Sequence, residues 1–461
     1  MNLTCKVCLL SLLVPTLLNG QEAGLLRMNP DRPAREGEAA VWGGIEEGRF
    51  KPTHAAVFQW SAGADAKIVR HGEKSSFSGA LSFEQMTGKG MGSSLLLEPG
   101  YFPLDLVETG QGTKSRQTGR LEAAFLTDLG IEWAAGFKAS AQMMNAAKRQ
   151  EIPHSAFGLD VLLEPTLTYV MDDDMGLVSS YHVGVRMERV RATLQDDAVL
   201  FMDKGMRYGT FENGLGLFPI MEFSHGFNEL LHSPDFSVGL GFSWKHGKAG
   251  GQDYSRFRFP GHSLKAFFEY TYQADAADHV GRISYQKQRD YLREAAAGSG
   301  YSPVSDRKAR DLDLKYEARF LSSAVKSVGL DIDVNRWTEY VWRPSLLDAY
   351  LGLVGTATLM SSFAFGPVDL DLNVQAAKGR WIDRNVTDAA AAAGPGRMRD
   401  DWLRNIEYRT APRVGMGGTV TGHISKSLYV QLYGYWHRAF SVSYLGGKNR
   451  EIATLKVGYK F

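Results

Sequence analysis

Cysteine is almost missing from this chain: Cys5 and Cys8 are its only two among 461 residues. Both fall in the first twenty positions, so no disulfide framework is expected to staple the body of the protein. A long apolar run is missing as well. After residue 20 nothing approaches the ~20 residues that a membrane helix needs. Neither sign of charge dominates, since 52 Lys and Arg stand against 51 Asp and Glu. The chain therefore lacks the basic excess of a nucleic-acid binder. The eleven histidines show no HExxH or paired-ligand spacing, which removes the common zinc-hydrolase patterns. What is present is 44% hydrophobic residues, 11% aromatics and 50 glycines. A soluble multidomain enzyme and a membrane barrel both satisfy those numbers, and periodicity has to separate them.

Residues 1–20 read as a secretory signal peptide. Lys6 precedes a mostly apolar run from Val7 to Leu18, followed by Asn19 and Gly20, a run too short to span a bilayer as a helix. Cys8 stands at the start of that run, too early for a lipoprotein acylation site. Removing Lys6 with the signal leaves 51 charges of each sign and a net charge of zero. Residues 21–52, rich in Gly, Pro, Arg and Glu, are expected to form an N-terminal periplasmic arm or a small lumen plug. Residues 53–461 are expected to form the barrel.

The case for a barrel rests on alternation. Ala453, Leu455, Val457, Tyr459 and Phe461 share one parity, and Thr454, Lys456, Gly458 and Lys460 the other. A strand repeats every two residues, so this segment has one apolar and one polar face, and it closes on an aromatic residue. The strongest case is 311–320, where Leu312, Leu314, Tyr316, Ala318 and Phe320 oppose Asp313, Lys315, Glu317 and Arg319. Four charges on one strand face exclude a packed sandwich core and fit a wet lumen behind a lipid-facing band. Tight turns alternate with long polar connections, the rhythm of an up-and-down transmembrane barrel. Counting strands from 76–88 to 450–461 gives 16. A further candidate at 56–69 would make the total odd, against the even count of single-chain bacterial barrels. The expectation is 16 strands, with 14 next if two weak segments (56–69 or 76–88, and 216–226) fold inward or merge.

Strand parity supplies lumen candidates. Lys315, Glu317 and Arg319 alternate in sign on one strand. Asp331, Asp333, Asp369 and Asp371 sit just beyond tight turns and would form an acidic patch at the periplasmic mouth. Tyr429 and Tyr433, with Tyr435, face inward on the penultimate strand, either stacking sugars or supporting the neighbouring loops. The interior charges can equally be a lattice of ion pairs that stiffens the wall or a conduit that selects solutes. Loop 382–408, with Ala389–Ala393 followed by Gly394, Pro395 and Gly396 and then Arg397, Arg399 and Arg404, is either a rim or constriction element or a surface loop. No catalytic, cofactor-binding or metal-ligating set emerges. Ser224 and His225 are adjacent on a strand and point to opposite faces, so they cannot act as nucleophile and base.

Phe77-Ser-Gly-Ala-Leu-Ser-Phe83, Asp105-Leu-Val-Glu108 and the terminal Val457-Gly-Tyr-Lys-Phe461 together resemble a family of uncharacterised outer-membrane barrels of Bacteroidota. The resemblance implies an outer-membrane barrel that accompanies nutrient-uptake systems, and it assigns no residue a role. The expected location is the cell outer membrane, reached through the cleaved signal. Expected partners are outer-membrane lipid and lipopolysaccharide, the barrel-assembly machinery during insertion, and a TonB-dependent transporter or surface lipoprotein, with no nucleic acid. The expected work is porin-like or facilitated passage of a polar solute without a cofactor. The alternative is a non-conducting membrane subunit of an uptake or assembly complex, and an enzyme comes third.

Overall fold

The computed structural model describes residues 35–50, 56–72, 74–89, 113–130, 132–149, 154–172, 175–194, 199–202, 205–208, 214–249, 257–295, 300–321, 324–343, 346–385, 410–440 and 448–461. Its wall begins with β1 (Arg35–Phe50), β2 (Ala56–His71), β3 (Ser75–Lys89), β4 (Thr113–Asp128), β5 (Trp133–Arg149), β6 (His154–Asp172) and β7 (Met175–Leu194). A separate hairpin of β8 (Val199–Met202) and β9 (Gly205–Tyr208) follows. The wall resumes with β10 (Gly214–His232), β11 (Phe236–Ala249), β12 (Phe257–Arg258), β13 (Gly261–Gln273), β14 (Ala277–Ala295), β15 (Tyr301–Phe320) and β16 (Val325–Arg343). It ends with β17 (Leu346–Phe365), β18 (Val368–Asn385), β19 (Arg413–His423), β20 (Leu428–Ala439) and β21 (Lys448–Lys460).

Each strand pairs antiparallel with its chain neighbours, and β1 pairs with β21, so the sheet closes on itself. β12 pairs with the same two strands as β13 and in the same register, making one wall strand interrupted at Phe259 and Pro260. Among the described residues the wall therefore holds 18 strands. No helix among the described residues is long and apolar enough to cross a membrane.

The expectation of 16 strands, or 14, is corrected to 18. The candidate at 56–69 is a full strand, β2, and the segment at 216–226 lies within β10. The odd total resolves by addition, because Arg35–Phe50 is the first barrel strand rather than part of an arm or plug. Its outward positions run Val41, Gly43 and Ile45, and its inward positions include Trp42 and Gly44. Glycine at both parities and an inward tryptophan hide the alternation. The signal segment 1–20, residues 21–34 and most of loop 382–408 lie outside the described residues.

The outer face is a continuous apolar band. Large exposed side chains recur at every second position, as in Leu81 and Phe83 on β3, Leu314 and Tyr316 on β15, Leu330 and Ile332 on β16, and Leu455 and Val457 on β21. Through the apolar band each wall strand is paired on both edges, so its backbone polar groups are satisfied within the wall, as a barrel crossing hydrocarbon requires. Aromatics gather where the band meets the short-turn end: Trp133 lies against Tyr169 at 4.6 Å between ring centroids, and Tyr459 stacks on Phe461. Such girdles mark the two membrane interfaces. One of the two-residue turns, Gly366–Pro367, places Gly366 at φ 62°, where a side chain would be strained.

The seam between the first and last strands is built around Gly37. Gly37 and Phe461 exchange backbone hydrogen bonds of 2.9 Å in both directions. The Phe461 ring lies where a Cβ on residue 37 would be, 2.2 Å from that position. On the inner side the Tyr429 hydroxyl donates to Glu38, and Lys456 Nζ stands 3.4 Å from the same carboxylate.

Candidate functional site

The lumen wall is best read along rows, meaning residues side by side on neighbouring strands. One row runs Glu269, Arg282, Lys315, Asp331, Thr358 and Gln375 across β13 to β18. The next runs Phe267, Ser284, Asp313, Asp333 and Thr356, and a third Lys265, Gln286, Asp311 and Asn335. Asp311, Asp313, Asp331 and Asp333 thus form one inward cluster on β15 and β16, with Asp313 and Asp333 directly opposed. Ser284 donates to Asp313 at 3.3 Å, and the Asn335 amide donates to Asp311. Arg282 reaches Glu269 at 3.7 Å and lies over the Phe267 ring at 4.4 Å. Basic and acidic side chains therefore interleave across the four strands β13–β16.

The structure regroups the acidic residues expected at one mouth. Asp369 and Asp371 also face inward, on β18, but they lie in other rows. Asp371 stands level with Ser327 and Ser362, four positions along β16 from Asp331. That is about 13 Å at the ~3.3 Å rise of a strand residue. Asp371 accepts a 2.6 Å hydrogen bond from Ser362, and Asp369 lies 2.8 Å from His423 Nε2. A single patch of Asp331, Asp333, Asp369 and Asp371 does not form; the cluster partner of Asp331 and Asp333 is β15. Sequence reasoning missed Asp311 because adjacency across strands depends on register. Lys315 and Glu317 face inward as parity requires. Glu317 pairs with Arg319 at 2.9 Å near the short-turn end, where the Arg319 side chain is well exposed.

The remaining arc of the lumen differs in character. Glu164 on β6 is 0% exposed; it accepts hydrogen bonds from Ser180 at 2.8 Å and Asn228 at 3.1 Å, and Lys138 is its cross-strand neighbour. Tyr429 and Tyr433 are 6% and 5% exposed, so no ring face is open for stacking a sugar. The Tyr435 hydroxyl donates to Gln375 at 3.3 Å. These tyrosines brace the wall and its seam. By contrast Arg282 and Glu269 keep 27% and 34% of their side-chain surface accessible. Accessible charge occurs on the other arc too: Glu38 and Lys456 keep 39% and 26% of their side-chain surface, and Arg120 and Glu122 keep 21% and 22%. What sets β13–β16 apart is the density of charges of both signs in adjacent rows. Ser224 and His225 point to opposite faces; His225 stacks on Trp244 outside at 5.5 Å between centroids.

No protein-family model matches the chain, and no curated protein matches it. Among solved structures, the siderophore receptor PiuA from Acinetobacter baumannii aligns over 93% of this chain and 82% of its own, at 8% identity and a TM-score of 0.46. The FrpB iron transporter from Neisseria meningitidis, F3-3 variant, aligns over 96% and 83%, at 8% identity and a TM-score of 0.46. A deletion mutant of the TodX monoaromatic hydrocarbon channel aligns over 95% and 92%, at 9% identity and a TM-score of 0.35. With TM-scores below 0.5, these likenesses carry no argument about what this chain does.

Proposed function

We propose that this protein is an outer-membrane barrel that passes a polar solute along the charged strip of its lumen formed by β13–β18. The observation that carries the reading is the clustering of charges of both signs in adjacent inward rows of that arc, with Arg282 and Glu269 partly accessible, behind an apolar outer band. A wall of mixed charge offers hydrogen-bond partners to a polar solute while keeping a preference in sign modest. In this reading the short turns lie in the periplasm and the long connections outside, and the chain conducts rather than catalyses. A TonB-dependent transporter or surface lipoprotein would be a neighbour in the membrane, and the barrel-assembly machinery a transient partner.

Purified protein in planar bilayers is expected to give stepwise conductance. Replacing Asp311, Asp313, Asp331 and Asp333 by Asn should lower the cation-to-anion permeability ratio, since clustered carboxylates focus potential in a narrow channel. The drop should be larger at low salt, where the screening length reaches ~30 Å at 0.01 M. A folded, heat-modifiable barrel that never conducts would replace this reading with that of a non-conducting membrane subunit.

A further inference from the structure

On the outer face, the apolar band of β14–β16 ends in a row of like charge. Lys287, Arg310 and Arg336 are direct cross-strand neighbours on those three strands. Each is the next outward position after the last apolar one, Tyr285, Leu312 and Val334 respectively. Opposed like charges at the ~4.5–5.5 Å Cβ spacing of cross-strand pairs are destabilising. None of the three makes an ion pair or ring contact with a described residue. One step further from the short turns, Arg289 and Lys308 are again direct neighbours. They share Asp306, at 2.7 Å and 3.4 Å, the one carboxylate on this part of the outward face among the described residues. Arg289 and Arg293 lie over the Tyr291 ring at 4.2 Å and 5.1 Å. Six cations stand against one anion, where internal pairing would have been easy to supply.

Beyond the intervening Tyr285, Leu312 and Val334, and four or more positions nearer the short turns, β13–β16 carry a shallow apolar groove of about 370 Å³ lined by Phe268, Tyr270, Ile283, Leu314, Tyr316 and Leu330. It opens where Gly281 leaves the wall without a side chain and no neighbouring atom fills the space. The height follows from strand geometry. Lys287 lies ten residues from the start of β14, which at ~3.3 Å per residue and a tilt of ~40° is roughly 25 Å, the height of the apolar band of such barrels. The cations therefore stand at the headgroup level of the far leaflet, on the side of the long connections.

We propose that this face binds a phosphorylated glycolipid of the outer leaflet, its phosphates neutralising the Lys287–Arg310–Arg336 row and an acyl chain lying in the groove beneath. The proposal rests on the outer-membrane orientation given above but is independent of whether the lumen conducts. Arginine favours phosphate through paired N–H donors, and the excess positive charge selects a multiply phosphorylated headgroup over a zwitterionic one. A neutral detergent or an apolar protein face would leave the cationic row without a counter-charge.

The test is lipid binding by the purified full-length barrel in neutral detergent, read by native mass spectrometry with three probes: bis-phosphorylated lipid A, its dephosphorylated form, and phosphatidylglycerol. Bis-phosphorylated lipid A is expected to bind at one copy per barrel, at least tenfold more tightly than either other probe. Lys287→Gln, Arg310→Gln and Arg336→Gln together should erase that preference, and Arg310→Lys with Arg336→Lys should keep most of it. Equal binding of the dephosphorylated probe would overturn the proposal by reducing the site to its groove. So would equal binding of phosphatidylglycerol, or displacement by millimolar inorganic phosphate. The comparison of probes on the parent protein stands even where the triple variant fails to fold. Loss of lipid preference with conductance intact overturns this inference alone; loss of conductance with lipid preference intact overturns only the transport reading.

Discussion

Deleting Arg35–Phe50 is expected to abolish the folded barrel, leaving no heat-modifiable species above background in the membrane fraction. β1 pairs along nearly its whole length with both β2 and β21. Both partners run antiparallel to it, so they run parallel to each other. Without β1 the wall has 17 strands, and its two edges cannot close by the antiparallel ladder used everywhere else. Each backbone N–H or C=O left unpaired in hydrocarbon costs several kcal/mol, and many would be exposed at once. The seam contacts Gly37–Phe461 and Glu38–Tyr429 vanish with the strand. A truncated chain that still migrates as a folded, heat-modifiable band would mean that residues 35–50 are dispensable to the wall, as an arm or plug would be.

A charge placed on the lipid face should be the costliest single substitution. Leu314→Arg puts a guanidinium near the middle of the apolar band on β15, and the expected loss is about 2–4 kcal/mol of folding free energy. Glu317→Gln, three residues away on the lumen face, should cost no more than ~1 kcal/mol, because its partner Arg319 is well exposed and such pairs contribute little. Urea titration of reversible folding into phospholipid vesicles separates the two. A neutral Leu314→Arg beside a costly Glu317→Gln would invert the register of β15 and the inside-outside assignment of every row built on it.

How much of this was legible in the sequence depended on the range of the interaction. Which face of β15 or β21 meets lipid follows from a period of two within one strand, and Leu312–Phe320 displays it without help from any neighbour. β1 was not legible: its outward row passes through Gly43, while Trp42 spends a large apolar side chain on the inner face. Glycine there is tolerated because the strand is held by pairing on both edges. The acidic residues show a second limit. Parity correctly turns Asp331, Asp333, Asp369 and Asp371 inward, but whether they meet is set by stagger between β16, β17 and β18. That stagger comes from turn geometry, which moved Asp371 four positions away and brought in Asp311 and Asp313 instead. Tyr429 and Tyr433 mark a third limit, because facing inward does not decide whether a ring is open or buried. The cationic row of Lys287, Arg310 and Arg336 was hidden for the same reason as the acidic cluster: three basic residues far apart in the chain become neighbours only through register.

Cross-linking at the seam tests the central claim, an 18-stranded wall closed between its first and last strands. In a background with Cys5 and Cys8 replaced by Ser, Val41→Cys and Val457→Cys stand opposite each other across β1 and β21. Phe83→Cys lies in the same row but two strands further on, on β3. Mild oxidation of the folded protein is expected to join residues 41 and 457 and to shift the mobility of the denatured chain, while the 83 and 457 pair stays open. Cross-linking of 83 with 457, and none of 41 with 457, would show a 16-stranded wall sealed by β3 and contradict the account.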